Sequence, residues 1–288
     1  MNKKLCFGLA ALLFSTTLTA CNEIRNAEPD RVSLRESRPV GNTKELSVDI
    51  EYDIGKLEVT KAPASDLFSV EFDYDRERYE PEIDFTEGEK ATLRFSIDEK
   101  LSGLLNGNRD NDLVVRLNEN IPLDLEISTG VADGHLDLTG LEIRNLRLEG
   151  GVGRTEVAFD SALAKPVSSI TVESGVGELI IRGLGNTRVQ RLEVEGGVGR
   201  TELDYTGEIG DAQIESTIMV GVGQIRLLLP RNADIEIQGD ENFLSNINAP
   251  SSFSRQGQTY THDGPDSVNP KIRIRVESGV GGVMVELI

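Results

Sequence analysis

Apolar and polar residues alternate along most of this chain, and the alternation restarts at a recurring glycine motif. The letters EGGVGRTE occur at 149–156 and again at 195–202. After the first copy, Val157 and Phe159 fall in one phase, while Arg154 and Glu156 fall in the other. A period of two residues indicates β-strands with one buried face. Each copy therefore predicts a strand, a glycine corner and a second strand.

The glycine triplets recur at a nearly constant spacing. The first four begin at Gly151, Gly175, Gly197 and Gly221, and the fifth follows after a longer gap at Gly279. No stretch shows the long apolar stripe of an amphipathic helix. Short repeats that each bury an inner row against their neighbours are typical of solenoids. We predict an all-β fold: a single-stranded right-handed β-solenoid with coils of about 22–24 residues.

Glycine suits a sharp corner because it tolerates a positive φ and close approach of neighbouring chains. At Gly197, for example, we expect a positive φ and packing between coils. The structural corner glycines predicted in this way are Gly151, Gly153, Gly175, Gly177, Gly197, Gly199, Gly221, Gly223, Gly279 and Gly281.

Stacked coils would also align charges on the outer face. Arg154, Glu178 and Arg200 would form a ladder of alternating sign, with each exposed pair contributing a few tenths of a kcal/mol. Glu149, Glu173 and Glu195 share another position and would repel each other. They either splay into water, which we favour, or bind a cation.

The N-terminus has the layout of a secretory signal peptide, with two lysines, an apolar run and then small residues. It ends in Leu18, Thr19, Ala20 and Cys21, which resembles the bacterial lipobox. The resemblance implies that Cys21 is lipidated after cleavage before it, which would hold the chain on a membrane outside the cytoplasm. Asn22 favours the outer membrane, facing the periplasm, and a cell-surface position stays open.

The chain divides into three parts by pattern. Residues 1–20 are the signal peptide, 21–43 the lipidated cysteine with a flexible tether, and 44–288 the β-solenoid domain. The domain comprises N-terminal strands (44–118), the GVG repeats (119–230), and a polar loop with a C-terminal coil (231–288).

The polar stretch 246–270 has no period and interrupts the repeat. We predict a loop outside the solenoid body. Its aromatic residues Phe253 and Tyr260 would be contact residues if the loop binds a partner. A disordered spacer, or a cap over the open end of the sheet, is the alternative.

Composition excludes several functions. The net charge is −19, and it becomes −21 once the signal peptide, with two lysines and no acids, is removed. Such a chain repels phosphate backbones, so we predict no nucleic-acid partner. There are two histidines and no CxxC, HExxH, GxSxG or P-loop motif. We therefore predict no metal, no cofactor and no catalytic residue.

The segment at 111–157, NDLVVRLNENIPLDLEISTGVADGHLDLTGLEIRNLRLEGGVGRTEV, resembles the bacterial toast-rack family. That family includes LiaF-like envelope-stress proteins and the β-solenoid domains called "putative adhesin". The resemblance rests on the leucine-rich alternation after Pro122, on Leu136–Leu141 and on the Gly-x-Gly corners. It implies a β-solenoid outside the membrane, often joined to transmembrane segments, which a lipid anchor would replace here. It implies no catalytic residues.

These observations favour a non-catalytic, membrane-tethered binding, scaffold or sensing module of the cell envelope. Its partners would be the membrane, through the anchor, and an envelope protein or polymer. A surface adhesin is one alternative. The other is a glycan-acting β-helix enzyme such as a polysaccharide lyase, in which outer acids would act with Arg154 or Arg200.

Overall fold

The computed structural model describes residues 30–100, 111–240, 245–265 and 271–288, which form sixteen β-strands in one sheet and a four-residue helix. The elements are β1 (Arg31–Pro39), β2 (Glu45–Lys61), β3 (Asp66–Asp75), β4 (Tyr79–Thr86), β5 (Lys90–Glu99), β6 (Asp112–Leu117), β7 (Leu123–Asp137), β8 (Ile143–Ala158), β9 (Ser169–Arg182), α1 (Leu184–Thr187), β10 (Arg191–Asp204), β11 (Ile214–Leu229), β12 (Ile235–Asp240), β13 (Ser245–Asn248), β14 (Ser254–Gln256), β15 (Thr259–His262) and β16 (Ile272–Leu287).

Seven long strands form the body of the molecule. They pair in parallel in the order β2, β7, β8, β9, β10, β11 and β16, and each carries a corner in its middle. Gly177 is paired with Gly153 on one side and with Gly199 on the other, so successive corners are neighbours in the sheet, as the repeat predicted. The all-β solenoid prediction is confirmed, while its right-handed sense stays a prediction.

The core lies inside the coils and is built from rows of aligned apolar side chains. Before the corner, one row runs through Val48, Leu125, Leu146, Ile170 and Leu192. After the corner, another runs through Val59, Leu136, Val157, Ile181 and Leu203. Every member of both rows is at most 2% exposed. Burying one such side chain stabilises the fold by about 1.5–3 kcal/mol. The inward phase predicted from the alternation is therefore correct.

At the N-terminal end, the structure corrects the predicted tether. Residues 31–39, within the segment assigned to a flexible tether at 21–43, form β1 and pair antiparallel with β3. Leu34 in this strand packs against the core. The charged residues around it are those of an exposed edge strand, where charge discourages pairing with other molecules. The composition of this segment resembles that of a linker, and its charged residues obscure a weak alternation of apolar and polar positions.

At the C-terminal end, the structure also corrects the predicted loop. β13 pairs with the second half of β16, and β12 pairs with its first half. A hairpin of β14 and β15 extends the sheet beyond β12. Phe253 is 9% exposed and Tyr260 5% exposed, and both belong to the core. The described part of 246–270 therefore covers the end of the solenoid. The burial of both rings favours the cap over the open end, the alternative to a binding loop, while a contact of Phe253 and Tyr260 with a partner stays a prediction.

Candidate interaction surface

The ten predicted corner glycines lie at the bend of β8, β9, β10, β11 and β16, where they have two different physical reasons to be glycine. The second glycine of each triplet has a φ between +138° and +150°. A Cβ on Gly199 would also stand 1.8 Å from the carbonyl oxygen of Gly177 in the preceding coil. Both features require glycine at this position.

The first glycine of each triplet is required by space alone. Gly197 does not have a left-handed φ, so the expectation of a positive φ there is wrong. A Cβ on it would nevertheless lie 2.3 Å from the carbonyl oxygen of Gly175. The coils therefore stack backbone against backbone at the corner, with no room for side chains between them.

A valine at the corner points outward in each of six successive strands. Val131, Val152, Val176, Val198, Val222 and Val280 are aligned by strand pairing and are 43–52% exposed. We call this row the valine ridge. Five steps of about 4.8 Å between paired strands give it a length of about 24 Å. The adjacent glycines carry no side chain that could cover it. The ridge is thus a continuous apolar strip on a strongly acidic protein.

A row of carboxylates runs parallel to the ridge, three residues before the corner position of each strand. This acidic row, interrupted by Ser128 and Met219, consists of Glu51, Glu149, Glu173, Glu195 and Glu277. A groove of about 750 Å³ follows the first four of these carboxylates and includes Asp53. Burial, and then the negative charges of Asp98, Glu99 and Glu51, raise the pKa of Asp53.

Arginines balance only part of this negative charge. Arg147 Nη2 donates to Glu149 Oε1 at 2.5 Å and to Glu173 Oε1 at 2.8 Å, which relieves the repulsion expected between these glutamates. Glu51 pairs with Arg94. Among ion pairs between described residues, none includes Glu195 or Asp53. The groove therefore retains negative charge.

On the other side of the ridge the charges compensate each other. Glu178 lies 3.2 Å from Arg154 and 3.4 Å from Arg200, so the predicted ladder of alternating charge is confirmed. Farther along, hydrogen bonds from Arg226 lower the pKa of Glu286. The two sides of the ridge thus differ: one has excess negative charge, and the other is paired within itself.

The contacts of Arg154 and Arg200 also concern the alternative of a glycan-acting enzyme, in which these arginines would act with outer acids. Arg154 and Arg200 each hydrogen-bond a glutamate two residues along their own strand, Glu156 at 3.0 Å and Glu202 at 2.6 Å. Within the residues that the structure describes, no group of three or more His, Cys, Asp or Glu side chains could hold a metal ion. The absence of a metal and a cofactor stays a prediction.

Two further features concern the membrane. In the described ranges, no helix has both the length and the apolar character needed to cross a bilayer. Leu18, Thr19, Ala20 and Cys21 lie outside the described residues, so the lipid anchor stays a prediction.

Residues 23–182 match the family described as the N-terminal domain of toast_rack, DUF2154. The chain belongs to the toast-rack family. The match covers more than half of the chain and ends with β9, so it includes the acidic row as far as Glu173 and the valine ridge as far as Val176. It confirms the resemblance that the glycine corners and the leucine-rich alternation indicated.

Solved structures with a similar chain course have low sequence identity. A "putative cell adhesion protein" from Clostridium sporogenes is 20% identical over 90% of this chain and 100% of its own, with a TM-score of 0.47. A "putative adhesin" from Bacteroides fragilis is 16% identical over 89% and 97%, with a TM-score of 0.43. Another from Parabacteroides distasonis is 11% identical over 90% and 98%, with a TM-score of 0.34. A search of curated proteins found no match.

Sequence reasoning identified the corner and the charged ladder but missed the ridge. The sequence does contain a sign of the ridge, in the position of each valine within the apolar–polar alternation of its strand. Val152 shares its phase with the outward residues Arg154 and Glu156, yet it also continues the inward phase of Leu146 and Leu148. The bend at the corner exchanges the two phases, and only the strand after the corner shows which side the valine faces.

Proposed function

We propose that this protein is a non-catalytic binding module of the cell envelope, held on a membrane by lipid on Cys21, and that the valine ridge is its docking surface. The observation that supports this proposal is the alignment of six valines, each about half exposed, at the corner of successive coils. Large contiguous apolar patches on the surface of a soluble domain mark interaction sites.

Stability does not explain the ridge. The fold needs glycine beside each valine, but at a strand position that points into water threonine, which is also β-branched and favoured in strands, would serve as well as valine. Covering the exposed half of one valine would contribute roughly 1 kcal/mol, so six together could support a specific complex. Valine at all six positions is accounted for by a partner that covers them.

Crosslinking in cells tests the docking surface. With benzoylphenylalanine at position 198, we expect one discrete adduct, because this position is central in the ridge. At position 284, which is equally exposed but lies outside the ridge, we expect no such adduct. Changing Val152→Thr and Val176→Thr together should reduce the adduct about five-fold, since two apolar contacts are lost while strand propensity is kept.

The crosslinking test is valid only if the double threonine variant stays folded. The two threonine substitutions should alter the free energy of unfolding by less than about 0.5 kcal/mol, as is usual for surface positions. An adduct of the same intensity in the variant, or an identical adduct from position 284, would rule out the ridge as the docking surface.

The anchor is tested separately. We expect Cys21→Ala to abolish incorporation of a fatty-acid analogue and to release the protein from the membrane fraction, because the apolar stretch of the signal peptide is too short to span a bilayer. Cys6→Ala is the matched control, since Cys6 leaves with the signal peptide and its loss should keep full labelling. Equal label on the Cys21 variant would contradict the anchor.

The side of the membrane on which the protein lies distinguishes a binding module in the periplasm from an adhesin on the cell surface. Protease added to intact cells should leave the protein whole if it faces the periplasm, as Asn22 favours. Digestion would place the ridge on the cell surface, where the protein would act as an adhesin.

A further inference from the structure

The partner's secondary structure can be inferred from the spacing of the ridge. Its valines repeat at intervals of about 4.8 Å, the distance between paired strands. A helix presents apolar residues once per turn, at intervals of about 5.4 Å. An extended strand presents same-side residues at intervals of about 6.7 Å. Over the five steps of the ridge the helix is displaced by about 3 Å, less than one step, and the strand by about 9.5 Å, about two steps. A helix can therefore follow the ridge to within one valine spacing, and a strand cannot.

The backbone excludes an extended partner for a second reason. Strand addition needs an open sheet edge with free N–H and C=O groups. Around the ridge, β7 to β11 pair on both sides with neighbouring coils in an almost continuous parallel register. The surface offers side chains and bare glycine backbone but no edge. The glycine rows beside the ridge also leave room for a cylinder about 10 Å wide to approach.

The difference in charge between the two sides of the valine ridge indicates which charged side chains the helix carries. Glu149 and Glu173 share one arginine, and Glu195 and Asp53 pair with no described cation. The opposite side, around Glu178, is already paired. A cationic side chain on the acidic side would meet excess negative charge, while a cation on the other side would gain little. Complementary charge of this kind gives register and specificity.

We propose that the valine ridge binds one amphipathic helix of a basic envelope protein, lying across the strands, with its apolar stripe on the valines and its lysines or arginines over the acidic row. This inference rests on the proposed docking function and adds the nature of the partner. About 16 residues, at about 1.5 Å each, cover the ridge of about 24 Å. A second copy of the chain is a poorer occupant, because each copy without its signal peptide has a net charge of −21, from 28 Lys and Arg and 49 Asp and Glu.

The test uses the full-length lipidated chain in nanodiscs of zwitterionic lipid and three fluorescent peptides of equal length, each just long enough to cover the ridge as a helix. The first has leucines at helical spacing with lysines along one flank. The second has the same composition rearranged to alternate as a strand, and the third has glutamate in place of lysine. Fluorescence anisotropy gives the affinities, and empty nanodiscs give the lipid background.

We expect the helical lysine peptide to bind at least about ten-fold more tightly than either other peptide, since only it matches both spacing and charge. Changing Val176→Thr and Val198→Thr together should weaken it by about ten-fold. Changing Glu173→Gln and Glu195→Gln should weaken it several-fold and reduce its salt dependence, because exposed charges are screened over about 10 Å at about 0.1 M salt. Glu208→Gln with Asp211→Asn, an equal charge change away from the ridge, should have no effect.

Each alternative has its own outcome. Equal or tighter binding of the alternating peptide would overturn the helix, and equal binding of the glutamate peptide would overturn the basic flank. If no peptide binds in a ridge-dependent way while the position-198 adduct persists in cells, the inference fails and the docking function stands. A doubled mass that the valine variant abolishes would make a second copy the occupant and also overturn the inference. Loss of the adduct itself would instead count against the proposed function.

Discussion

Replacing Gly199 with alanine is expected to lower the free energy of unfolding by more than about 3 kcal/mol. The residue has a φ of +147°, and its new Cβ would stand 1.8 Å from the carbonyl oxygen of Gly177. The conformational strain alone costs about 1–3 kcal/mol. The contact adds to it, since Gly177 is held in the same parallel ladder and cannot move aside without displacing the next coil. Urea unfolding monitored by circular dichroism measures the change.

Two other glycines separate the contributions. Gly210 has a φ of +59°, but nothing lies within 4 Å of a Cβ placed there, so Gly210→Ala should cost only about 1–2 kcal/mol. Gly197→Ala has the close contact without the positive φ and should fall between the two. If Gly199→Ala and Gly210→Ala shifted the urea midpoint equally, the stacking of glycine backbones at the corner would not contribute to stability.

The repetitive part of the fold is the part that sequence predicts well, and the reason is physical. A motif that recurs at an almost constant spacing fixes the register between coils, because the same position in each copy must meet its counterpart. Once the register is known, the inward row through Val157 and Leu203 follows, and so does the charge ladder at Glu178. In the repeats, the alternation within each strand and the stacking between coils predict the same inward and outward positions.

The two ends of the sheet could not be predicted in the same way, because they do not repeat. β1 has only Val32 and Leu34 as apolar members, since its other face and its far edge meet water. The C-terminal cap is polar for the same reason: a hairpin on the end of a solenoid has one covered face and few apolar residues. Tertiary pairing with β3 and β12, which no local pattern shows, makes both segments strands.

The ridge and the acidic row differ in how far sequence could locate them. The glutamates at 149, 173 and 195 were aligned correctly, but Arg147, which Glu149 and Glu173 share, emerges only from the fold. The valines were visible in every triplet, yet their direction depends on the bend between two strands. A surface that lies at a corner cannot be located by an argument based on the period of a single strand.

Removing the two buried rings of the cap is the second change with a large expected effect. Phe253→Ala with Tyr260→Ala should lower the free energy of unfolding by more than about 3 kcal/mol, the usual cost of truncating a buried aromatic side chain. Phe253 packs with its ring centroid 5.3 Å from that of His262. Tyr260 pairs with Ile237 in β12 and lies under the guanidinium of Arg255. Loss of both should detach the hairpin.

Detachment of the hairpin would uncover the edge of β12, and an open strand edge promotes association. We therefore expect faster amide hydrogen exchange in β12 and a larger mass by light scattering, in addition to a lower urea midpoint. Gln256→Ala, at an exposed position of the same hairpin, should change none of these. If the double variant instead kept the stability and the mass of the unchanged protein but lost the adduct at position 198, the rings would be contact residues for the partner. The position of both rings in the core predicts the opposite: unfolding of the cap, with the ridge itself unchanged.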